Sequence, residues 1–427
     1  MTVTPATGAG TRSFESVLVV GAGQAAVQFA DRLRQGGHRG PVTLVGDEPH
    51  LPYQRPPLSK AWLRGETTAA DLMLRAPDHY DVHGIELVTD AVVERLERDG
   101  DSVLGHWRSR STGSHSRRFD RVVLATGARP RRLPLPGADH PDVLELRGIS
   151  DAGRLAERLP ARVVVIGGGF IGLEVAATAR DLGAEVTVVE AGDRLMGRAV
   201  DGSTAEFLTR AHRGDGIEIL LGAAPERIEA DAAGLRAVVL ADGRVLPAET
   251  VLVGVGVTPR TELAEQLGLE CAGGIRVDEQ CRTSDGRTLA IGDCTIQRVD
   301  GEWLRLESVD NAVEQAGLAA DVVTGATPST RPAPWFWSDQ GGWKLQIVGR
   351  SAGHREVVVR EDPDKPRRRV ALYFGENGFL GAECVNAPAD FVALRTALAR
   401  GARPTPGAVA DPAVPLRKAL AGPQLSC

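Results

Sequence analysis

This chain of 427 residues contains the same order of elements twice: a strand, a glycine turn, a helix, a second strand and an acidic residue. The first copy begins with a β-branched run at residues 17–20, followed by the turn GAGQAA at residues 21–26. An alanine-rich helical pattern then reaches Leu33, and a strand at residues 42–45 precedes Asp47. This order predicts a strand–helix–strand unit whose helix begins at a glycine turn.

The second copy starts with the strand at residues 163–166 and the turn GGGFIG at residues 167–172. A helix to about Leu182 and a strand at residues 186–189 follow, and the strand ends at Glu190. Continuous apolar strands alternating with helices are typical of parallel sheets covered on both faces. The predicted fold class is therefore α/β, with two doubly wound, Rossmann-like domains.

Length and pattern together indicate more than these two units. A chain of this size is expected to contain about three domains. Residues 122–127 and 251–256 are apolar runs that end in small residues, and we expect them to cross between the two Rossmann-like domains. A proline-rich linker at residues 328–334 precedes predicted strands at 345–348, 356–359 and 370–374 and a predicted helix at 391–399. The C-terminal part is therefore predicted to form an α+β domain.

Composition excludes several classes of protein. The net charge is −6, so the chain has no global positive field to attract nucleic acid or anionic lipid. Residues 1–16 form a polar lead-in without a signal-peptide pattern, and no apolar run approaches the roughly 18 residues of a membrane span. Five scattered cysteines without a Cys-x-x-Cys pair argue against metal centres and disulfides. We expect a cytoplasmic protein that binds neither nucleic acid nor membrane, without a metal site.

Each glycine turn has a chemical interpretation. Without side chains, the backbone approaches a diphosphate, whose charge lies against free amides at a helix N-terminus. The acid after the second strand is suitably spaced for a ribose hydroxyl. Glu190 would bind the adenosine ribose of NAD and repel the extra phosphate of NADP. NAD is therefore favoured, although Arg194 and Arg198 follow closely and could neutralise a phosphate.

Residues 55–60, RPPLSK, are the most unusual short string in the first half. Two prolines fix the backbone, and Ser59 is predicted to cap a helix that begins at or just after Lys60. Lys60 would then be held in place; the alternative is a solvated surface lysine. Asp293 ends an apolar strand where a carboxylate can accept sugar hydroxyls, although such a strand end is also common without a ligand.

With these strings identified, the chain resembles the ferredoxin reductases of oxygenase electron-transfer chains. These are flavoproteins of the putidaredoxin reductase and dioxygenase ferredoxin reductase type, within the glutathione reductase superfamily. The resemblance spans nearly the whole chain, and the strings RPPLSK and WFWSDQ are its specific parts. The motifs that carry it are residues 21–26, 55–60, 125–127 (ATG), 167–174 (GGGFIGLE), 291–293 (IGD), 307–312 (ESVDNA) and 335–340 (WFWSDQ).

The resemblance implies FAD at the first glycine turn and NADH at the second, with NADPH less favoured. It places Lys60 beside the hydride-accepting nitrogen of the flavin and Trp337 near the flavin face, or alternatively in the core of the C-terminal domain. The other FAD residues that it implies are Gly21, Gly23, Ala25, Asp47, Val93, Arg147, Asp293 and Val309. The NADH residues that it implies are Gly167, Gly169, Gly172, Glu174, Glu190, Arg198 and Gly254.

The same resemblance implies that the NAD domain is inserted in the FAD domain. The expected limits are 1–120 and 254–330 for the FAD-binding domain, 121–253 for the NAD-binding domain and 331–427 for the C-terminal domain. The chain is expected to act as a monomer or homodimer.

The implied function is transfer of electrons from NADH through FAD, singly, to a ferredoxin that serves a monooxygenase or Rieske-type oxygenase. A flavin converts between the two-electron chemistry of nicotinamide and the one-electron chemistry of an iron–sulfur cluster. Disulfide reductases need a cysteine at the flavin, in the part of the chain after the first acidic strand end, whereas the first cysteine here is Cys271. Rubredoxin or monodehydroascorbate reductase, and an NADH-responsive redox sensor of apoptosis-inducing-factor type, remain open alternatives.

Ferredoxins are generally acidic, so a reductase of net negative charge needs a local basic surface for docking. Arg117-Arg118, Arg129, Arg131-Arg132 and residues 365–369 are candidates. Scattered solubilising charge explains each cluster equally well, so none of them is assigned to a site.

Overall fold

The computed structural model describes residues 15–159, 162–232, 234–299, 301–327 and 333–420. Most of the predicted lead-in, most of the predicted proline-rich linker and Cys427 lie outside the described residues.

The strands are β1 (Val17–Val20), β2 (Val42–Val45), β3 (Ile85–Val88), β4 (Ala91–Asp99), β5 (Ser102–Ser109), β6 (Gly113–Phe119), β7 (Arg121–Leu124), β8 (Ala128–Pro130), β9 (Val143–Leu144), β10 (Arg162–Ile166), β11 (Glu185–Glu190), β12 (Glu218–Leu221), β13 (Pro225–Asp231), β14 (Gly234–Leu240), β15 (Val245–Pro247), β16 (Thr250–Val253), β17 (Val257–Pro259), β18 (Ile275–Val277), β19 (Leu289–Ala290), β20 (Thr295–Val299), β21 (Glu302–Leu304), β22 (Trp335–Gln340), β23 (Trp343–Gly349), β24 (Glu356–Glu361), β25 (Arg369–Gly375) and β26 (Gly378–Val385). The helices are α1 (Gln24–Gln35), α2 (His79–Val82), α3 (Ile149–Ala156), α4 (Phe170–Asp181), α5 (Gly202–Gly214), α6 (Glu262–Gln266), α7 (Val309–Thr324), α8 (Pro388–Ala399), α9 (Pro406–Val409) and α10 (Leu416–Ala419), with short 3-10 helices at Pro56–Ser59 and Gly292–Cys294.

The chain divides into two compact units. The first comprises Met1–Tyr53, Met73–Ala128 and Pro259–Ser329. Its central sheet is parallel, in the order β19-β7-β1-β2-β3, and its innermost strand β1 is buried along its whole length. Burial on both faces explains why β1 is a continuous apolar run without alternation. Helices α1 and α7 pack against each other in this unit, and the antiparallel sheet β4-β5-β6 adds a further layer of core.

The second unit comprises Gln54–Leu72, Arg129–Thr258 and Thr330–Cys427. It contains the second parallel sheet, in the order β12-β11-β10-β16-β9, together with the antiparallel sheet β13-β14-β15. It also contains an antiparallel sheet in the order β22-β23-β26-β25-β24, on which α8 packs. The predicted fold class, two Rossmann-like domains and a C-terminal α+β domain, is thus confirmed.

Two details of this architecture bear on the expected domain limits. Strand β7 pairs with β1, so the chain is still part of the first sheet at residue 124. The segment Gln54–Leu72, which contains RPPLSK, belongs to the second unit. The four domain limits stay a prediction, because compact units and nucleotide-binding domains need not coincide.

The aromatic string WFWSDQ is itself a strand, β22, and β26 is a further strand that the sequence pattern did not predict. In β22 the aromatic residues are only half-buried, whereas Ser338 and Gln340 are buried. Buried polar residues on one face obscure the alternation of apolar and polar residues by which strands are recognised. The predicted strands at 345–348, 356–359 and 370–374 lie within β23, β24 and β25.

None of the helices in the described parts of the chain combines the length and the apolar character needed to cross a membrane.

The first glycine turn shows why its opening residue has to be glycine. Gly21 has φ +117°, a conformation that side-chain-bearing residues rarely adopt, and a Cβ there would lie 2.2 Å from the carbonyl oxygen of Ala125. Gly21→Ala is therefore expected to lower the free energy of unfolding by about 1–3 kcal/mol or more. Gly317→Ala, in helix α7 with open space around it, should instead raise it by about 0.5–1 kcal/mol. Denaturant unfolding of both variants checks this difference; equal effects would contradict it.

Candidate active site

The first unit brings Gly21, Gly23 and Ala25 together at the start of α1. Gly23 is the N-cap residue, and no side chain caps the first turn. A Cβ on Gly292 would lie 3.1 Å from the Cβ of Ala25, so the turn that carries Asp293 lies against the same helix end. The turn that carries Asp293 and the glycine turn at residues 21–26 are therefore neighbours, although they are far apart in sequence.

A buried amide network fixes this turn against α7, whose first residue is Val309. The backbone amide of Gly292 donates to Oε1 of Gln315 at 2.7 Å, and Nε2 of Gln315 donates to Oε1 of Gln297 at 2.8 Å. Nε2 of Gln297 donates in turn to Oδ1 of Asn311 at 2.8 Å. Gln315 was not predicted from the sequence, although a glutamine within an alanine-rich helix is a signal for such a role.

Asp47 lies two residues after the end of β2, and its Oδ2 accepts a hydrogen bond from Nη1 of Arg260 at 2.6 Å. Both side chains are about two-fifths exposed, 43% for Asp47 and 41% for Arg260. The ATG string holds the Arg260 backbone, because its amide donates to Gly127 O and its carbonyl accepts from Thr126 Oγ1. Arg260 was not predicted, since nothing in the sequence links residues 213 positions apart.

Val93 is buried in the antiparallel sheet of the first unit. It belongs to the same apolar cluster as Val20 and Val45, the last residues of β1 and β2. It therefore supports the ends of the two strands that lead to Gly21 and toward Asp47.

In the second unit, the glycines lie at the strand–helix junction that was predicted for a nucleotide. A Cβ on Gly167, which has φ +109°, would lie 2.5 Å from the carbonyl oxygen of Gly254. A Cβ on Gly172 would lie 2.2 Å from the carbonyl oxygen of Gly167, so Gly172 allows α4 to approach the strand closely. Gly169 is the N-cap residue of α4, and no side chain caps this helix.

Glu190 lies at the end of β11 beside this turn. Its Oε2 accepts from the Gly168 amide at 2.7 Å, and its Oε1 accepts from the Gly192 amide at 2.7 Å. The carboxylate is therefore held at the glycine turn by two backbone donors. Arg194 donates to Gly197 O, and Arg198 extends toward Gly256, 3.3 Å from the position that a Cβ there would take.

RPPLSK folds differently from the prediction at one point. Ser59 does not cap a helix that starts at Lys60; it is the last residue of the 3-10 helix Pro56–Ser59. The reason is that its hydroxyl has a different partner, because Ser59 Oγ donates to Oε2 of Glu174 at 2.6 Å. The predicted immobilisation of Lys60 is still achieved, since its Nζ donates to Pro56 O at 2.9 Å and to Glu174 Oε2 at 2.6 Å.

Glu174 and Lys60 form a buried ion pair. The side chain of Glu174 is only 4% exposed and that of Lys60 only 14%, so the pair is largely removed from water. Oε1 of Glu174 accepts from Ser338 Oγ at 2.7 Å. Glu174 was predicted from the resemblance as an NADH residue; the contacts of its carboxylate in this structure are to Lys60, Ser59 and Ser338.

Arg147 and Trp337 complete the predicted set. The carbonyl of Arg147 accepts from Nη1 of Arg55 at 2.8 Å, so the structure brings Arg147 next to RPPLSK. Trp337 lies on β22 and stacks on Trp335, with 5.3 Å between ring centroids. Trp337 is half-buried, and its neighbour Ser338 faces Glu174.

The candidate basic clusters are partly neutralised within the protein. Arg117 makes a two-pronged ion pair with Glu86, and its guanidinium lowers the pKa of that carboxyl. Arg118 pairs with Asp99. Charge counts along the sequence therefore overstate the positive surface that these clusters offer.

The cysteines are free thiols in the described residues. Cys294 is fully buried beside Asp293, donates to Ile291 O, and burial raises its thiol pKa. A protonated, buried thiol is a poor nucleophile.

The donor set fits two dinucleotides. Two helices, α1 and α4, begin at glycine turns without a side-chain cap, and a Cβ on Gly23 would meet only open space. Each turn has an acid at the end of the next strand, Asp47 or Glu190. Uncapped amides suit a diphosphate, and the acids suit ribose hydroxyls.

Comparison with known proteins agrees with this geometry. The family described as "Pyridine nucleotide-disulphide oxidoreductase" matches residues 15–316, and the family "Reductase C-terminal" matches residues 335–420. The chain belongs to the pyridine nucleotide-disulphide oxidoreductase family. The expected flavoprotein oxidoreductase class, with FAD and NADH as cofactors, is thereby confirmed.

Similar members of the family are ferredoxin reductases. Rhodocoxin reductase of Rhodococcus erythropolis is 42% identical over 410 residues, 95% of this chain and 94% of the relative. The ferredoxin–NAD(+) reductase component of the p-cumate 2,3-dioxygenase system of Pseudomonas putida is 39% identical over 404 residues, 94% of this chain and 97% of the relative. The crystal structure of the covalent putidaredoxin reductase–putidaredoxin complex superposes with a TM-score of 0.90 at 36% identity, covering 96% of this chain and 99% of that chain. Within the family, the predicted resemblance to the putidaredoxin reductase type is confirmed.

The buried Lys60–Glu174 pair leads to a prediction about stability, and an exposed ion pair nearby provides the control. Glu174→Ala leaves the Lys60 ammonium without its counter-charge and is expected to lower the free energy of unfolding by about 3–5 kcal/mol. Arg64 and Asp181 pair at 3.0 Å between the same segment and the same helix, but they are 25% and 52% exposed. Asp181→Ala should therefore cost less than about 1 kcal/mol. Denaturant unfolding of the FAD-loaded variants measures both values, and similar losses would show that burial does not set the strength of the pair.

Proposed function

We propose that this chain takes two electrons from NADH, holds them on FAD and passes them singly to a ferredoxin-type iron–sulfur protein that serves an oxygenase. The observation that carries the proposal is the buried Lys60–Glu174 pair, with 2.6 Å between Nζ and Oε2. An immobilised cation of this kind is what stabilises negative charge that develops on a bound cofactor. The names of the relatives support the acceptor, since they include a ferredoxin reductase of a dioxygenase system and a complex with putidaredoxin.

When bound, FAD supplies the conversion between two-electron and one-electron transfer. Gly21, Gly23 and Ala25 would hold its diphosphate against the start of α1, and Asp47 would bind its adenosine ribose. Asp293, Val309, Val93 and Arg147 would line the remainder of the cofactor. Lys60 would present its ammonium to the hydride-accepting part of the ring, and Trp337 would cover the ring face.

NADH would be held by the second glycine turn. Gly167, Gly169 and Gly172 would let its diphosphate approach the start of α4, with Gly254 behind them. Glu190 would accept hydrogen bonds from the adenosine ribose, and Arg198 would flank this end. Together these residues would orient the nicotinamide for hydride transfer and help to exclude water. We further propose that the protein acts in the cytoplasm.

The function is tested by an assay with three acceptors: a [2Fe–2S] ferredoxin, rubredoxin and monodehydroascorbate. The purified protein should be yellow, lose its flavin colour with NADH and reduce the ferredoxin at many turnovers per second, faster than the other acceptors. Colourless protein, or NADH-reduced protein that no carrier reoxidises, would contradict the proposal; the second result would indicate a sensor.

Lys60→Ala should slow FAD reduction by NADH by about tenfold or more, because an aligned cation is lost. Lys344→Ala is the matched control, since Lys344 is 48% exposed and 3.5 Å from Asp339. Stopped-flow absorbance of the flavin measures both variants. A Lys60→Ala enzyme that retains FAD and is reduced at the wild-type rate would remove Lys60 from the chemistry.

Glu190→Ala should lower the ratio of kcat/KM for NADH to that for NADPH by about tenfold or more, through loss of the ribose contacts and of the repulsion of a phosphate. Glu185→Ala, at the exposed other end of β11, serves as the control and should leave the ratio unchanged. Steady-state kinetics with both nucleotides measure it, and an unchanged ratio in Glu190→Ala would place cofactor choice elsewhere.

A further inference from the structure

We propose that Ser338 is a positioning residue for the Lys60–Glu174 pair: its hydroxyl holds the Glu174 carboxylate, and the C-terminal sheet thereby sets the charge that Lys60 presents to FAD. The inference rests on the proposed function, because it concerns how readily FAD accepts electrons from NADH.

The contacts of the carboxylate divide between its two oxygens. Oε2 accepts from Lys60 Nζ and Ser59 Oγ, both at 2.6 Å. Oε1 accepts from Ser338 Oγ at 2.7 Å, and in the described parts of the chain no second donor reaches it. Because Glu174 is only 4% exposed, water is a poor substitute for this hydroxyl.

The direction of the Ser338 hydrogen bond follows from its neighbour. Nε2 of Gln340 donates to Ser338 Oγ at 3.1 Å, so the single hydroxyl proton of Ser338 is free to point at Glu174. Oε1 of Gln340 is 2.7 Å from Nε2 of His212, which must therefore carry a proton. His212, Gln340 and Ser338 thus form a row of hydrogen bonds in which each side chain donates to the next, and Ser338 donates to Glu174.

His212 ends the row as a neutral side chain. It is fully buried, and burial lowers its pKa. With the proton on Nε2, its Nδ1 is an acceptor, and within the described residues this atom has no hydrogen-bond partner. To pass its hydrogen bonds in the opposite direction, the row would need the other neutral tautomer of His212, and the buried Nδ1–H donor of that tautomer would have no hydrogen-bond partner within the described residues.

The register between β22 and α4 accounts for this placement. Phe336, Ser338 and Gln340 share one face of β22 because side chains alternate along a strand. Phe336 packs on Phe170 with 4.4 Å between ring centroids, one helical turn before Glu174. Beyond the strand, a Cβ on Gly341 would lie 3.3 Å from Ala177, almost one turn after Glu174. The strand thus runs along the helix with Ser338 opposite Glu174.

Loss of the Ser338 hydroxyl has a defined electrostatic consequence. Oε1 would keep its negative charge without a donor, so the carboxylate would offset more of the positive potential of Lys60. Reduced FAD would then be stabilised less. We expect a lower flavin midpoint potential and slower reduction by NADH, with the affinity for NADH unchanged.

The test uses the FAD-loaded protein and three variants of β22. Ser338→Ala should lower the midpoint potential and slow FAD reduction by about three- to tenfold. Ser338→Thr keeps the hydroxyl and should restore both values. Asp339→Asn, on the opposite face of the strand, is the control and should match the wild type. If Ser338→Ala does not fold, Ser338→Cys, a weaker donor of similar size, replaces it with the same expected direction.

A double-mutant cycle shows whether Ser338 acts through Glu174. In a Glu174→Gln background, adding Ser338→Ala should leave the midpoint potential unchanged. A wild-type potential in Ser338→Ala, or an equal effect of Ser338→Ala in both backgrounds, would overturn the inference. Wild-type protein that binds no FAD, or whose FAD is not reduced by NADH, would instead overturn the proposed function.

Discussion

The carboxylate of Glu174 is almost fully buried, so its charge has to be compensated inside the protein. Three side chains donate hydrogen bonds to this carboxylate. Ser59 and the adjacent Lys60 belong to the segment that starts at residue 54, and Ser338 belongs to the C-terminal sheet. An unpaired buried charge costs several kcal/mol, so these contacts together offset the cost of burying the carboxylate. The carboxylate thus links three parts of the second unit, and we propose that its C-terminal sheet contributes to the chemistry as well as to the core.

The glycine turns impose the other constraint. Gly21 and Gly167 both have a positive φ and lie against a carbonyl oxygen of a neighbouring strand end. Both turns leave the first amides of a helix without a side-chain cap. Folding itself thus leaves the first amides of two helices uncapped by side chains, an arrangement that suits a diphosphate. We propose that FAD and NADH bind at these two turns.

Much of this was predictable from the sequence, because it depends on local pattern. The doubled motif predicts both parallel sheets, and the strand-end acids Asp47 and Glu190 lie where the spacing placed them. What escaped prediction depends on contacts between distant residues. The Arg260–Asp47 pair spans 213 positions, and the bond from Ser338 to Glu174 spans 164. Ser59 was predicted as a helix cap because its immediate neighbours suit one, but a distant carboxylate binds its hydroxyl instead.

In the proposed function, electrons enter the protein as a pair and leave it one at a time. The most direct measurement mixes the FAD-loaded protein, without oxygen, with a limiting amount of NADH and an excess of oxidised [2Fe–2S] ferredoxin, and counts the reduced ferredoxin by its absorbance. Two molecules of ferredoxin should be reduced for each NADH consumed. A ratio of one, or NADH consumption without any reduced ferredoxin, would contradict the proposed function.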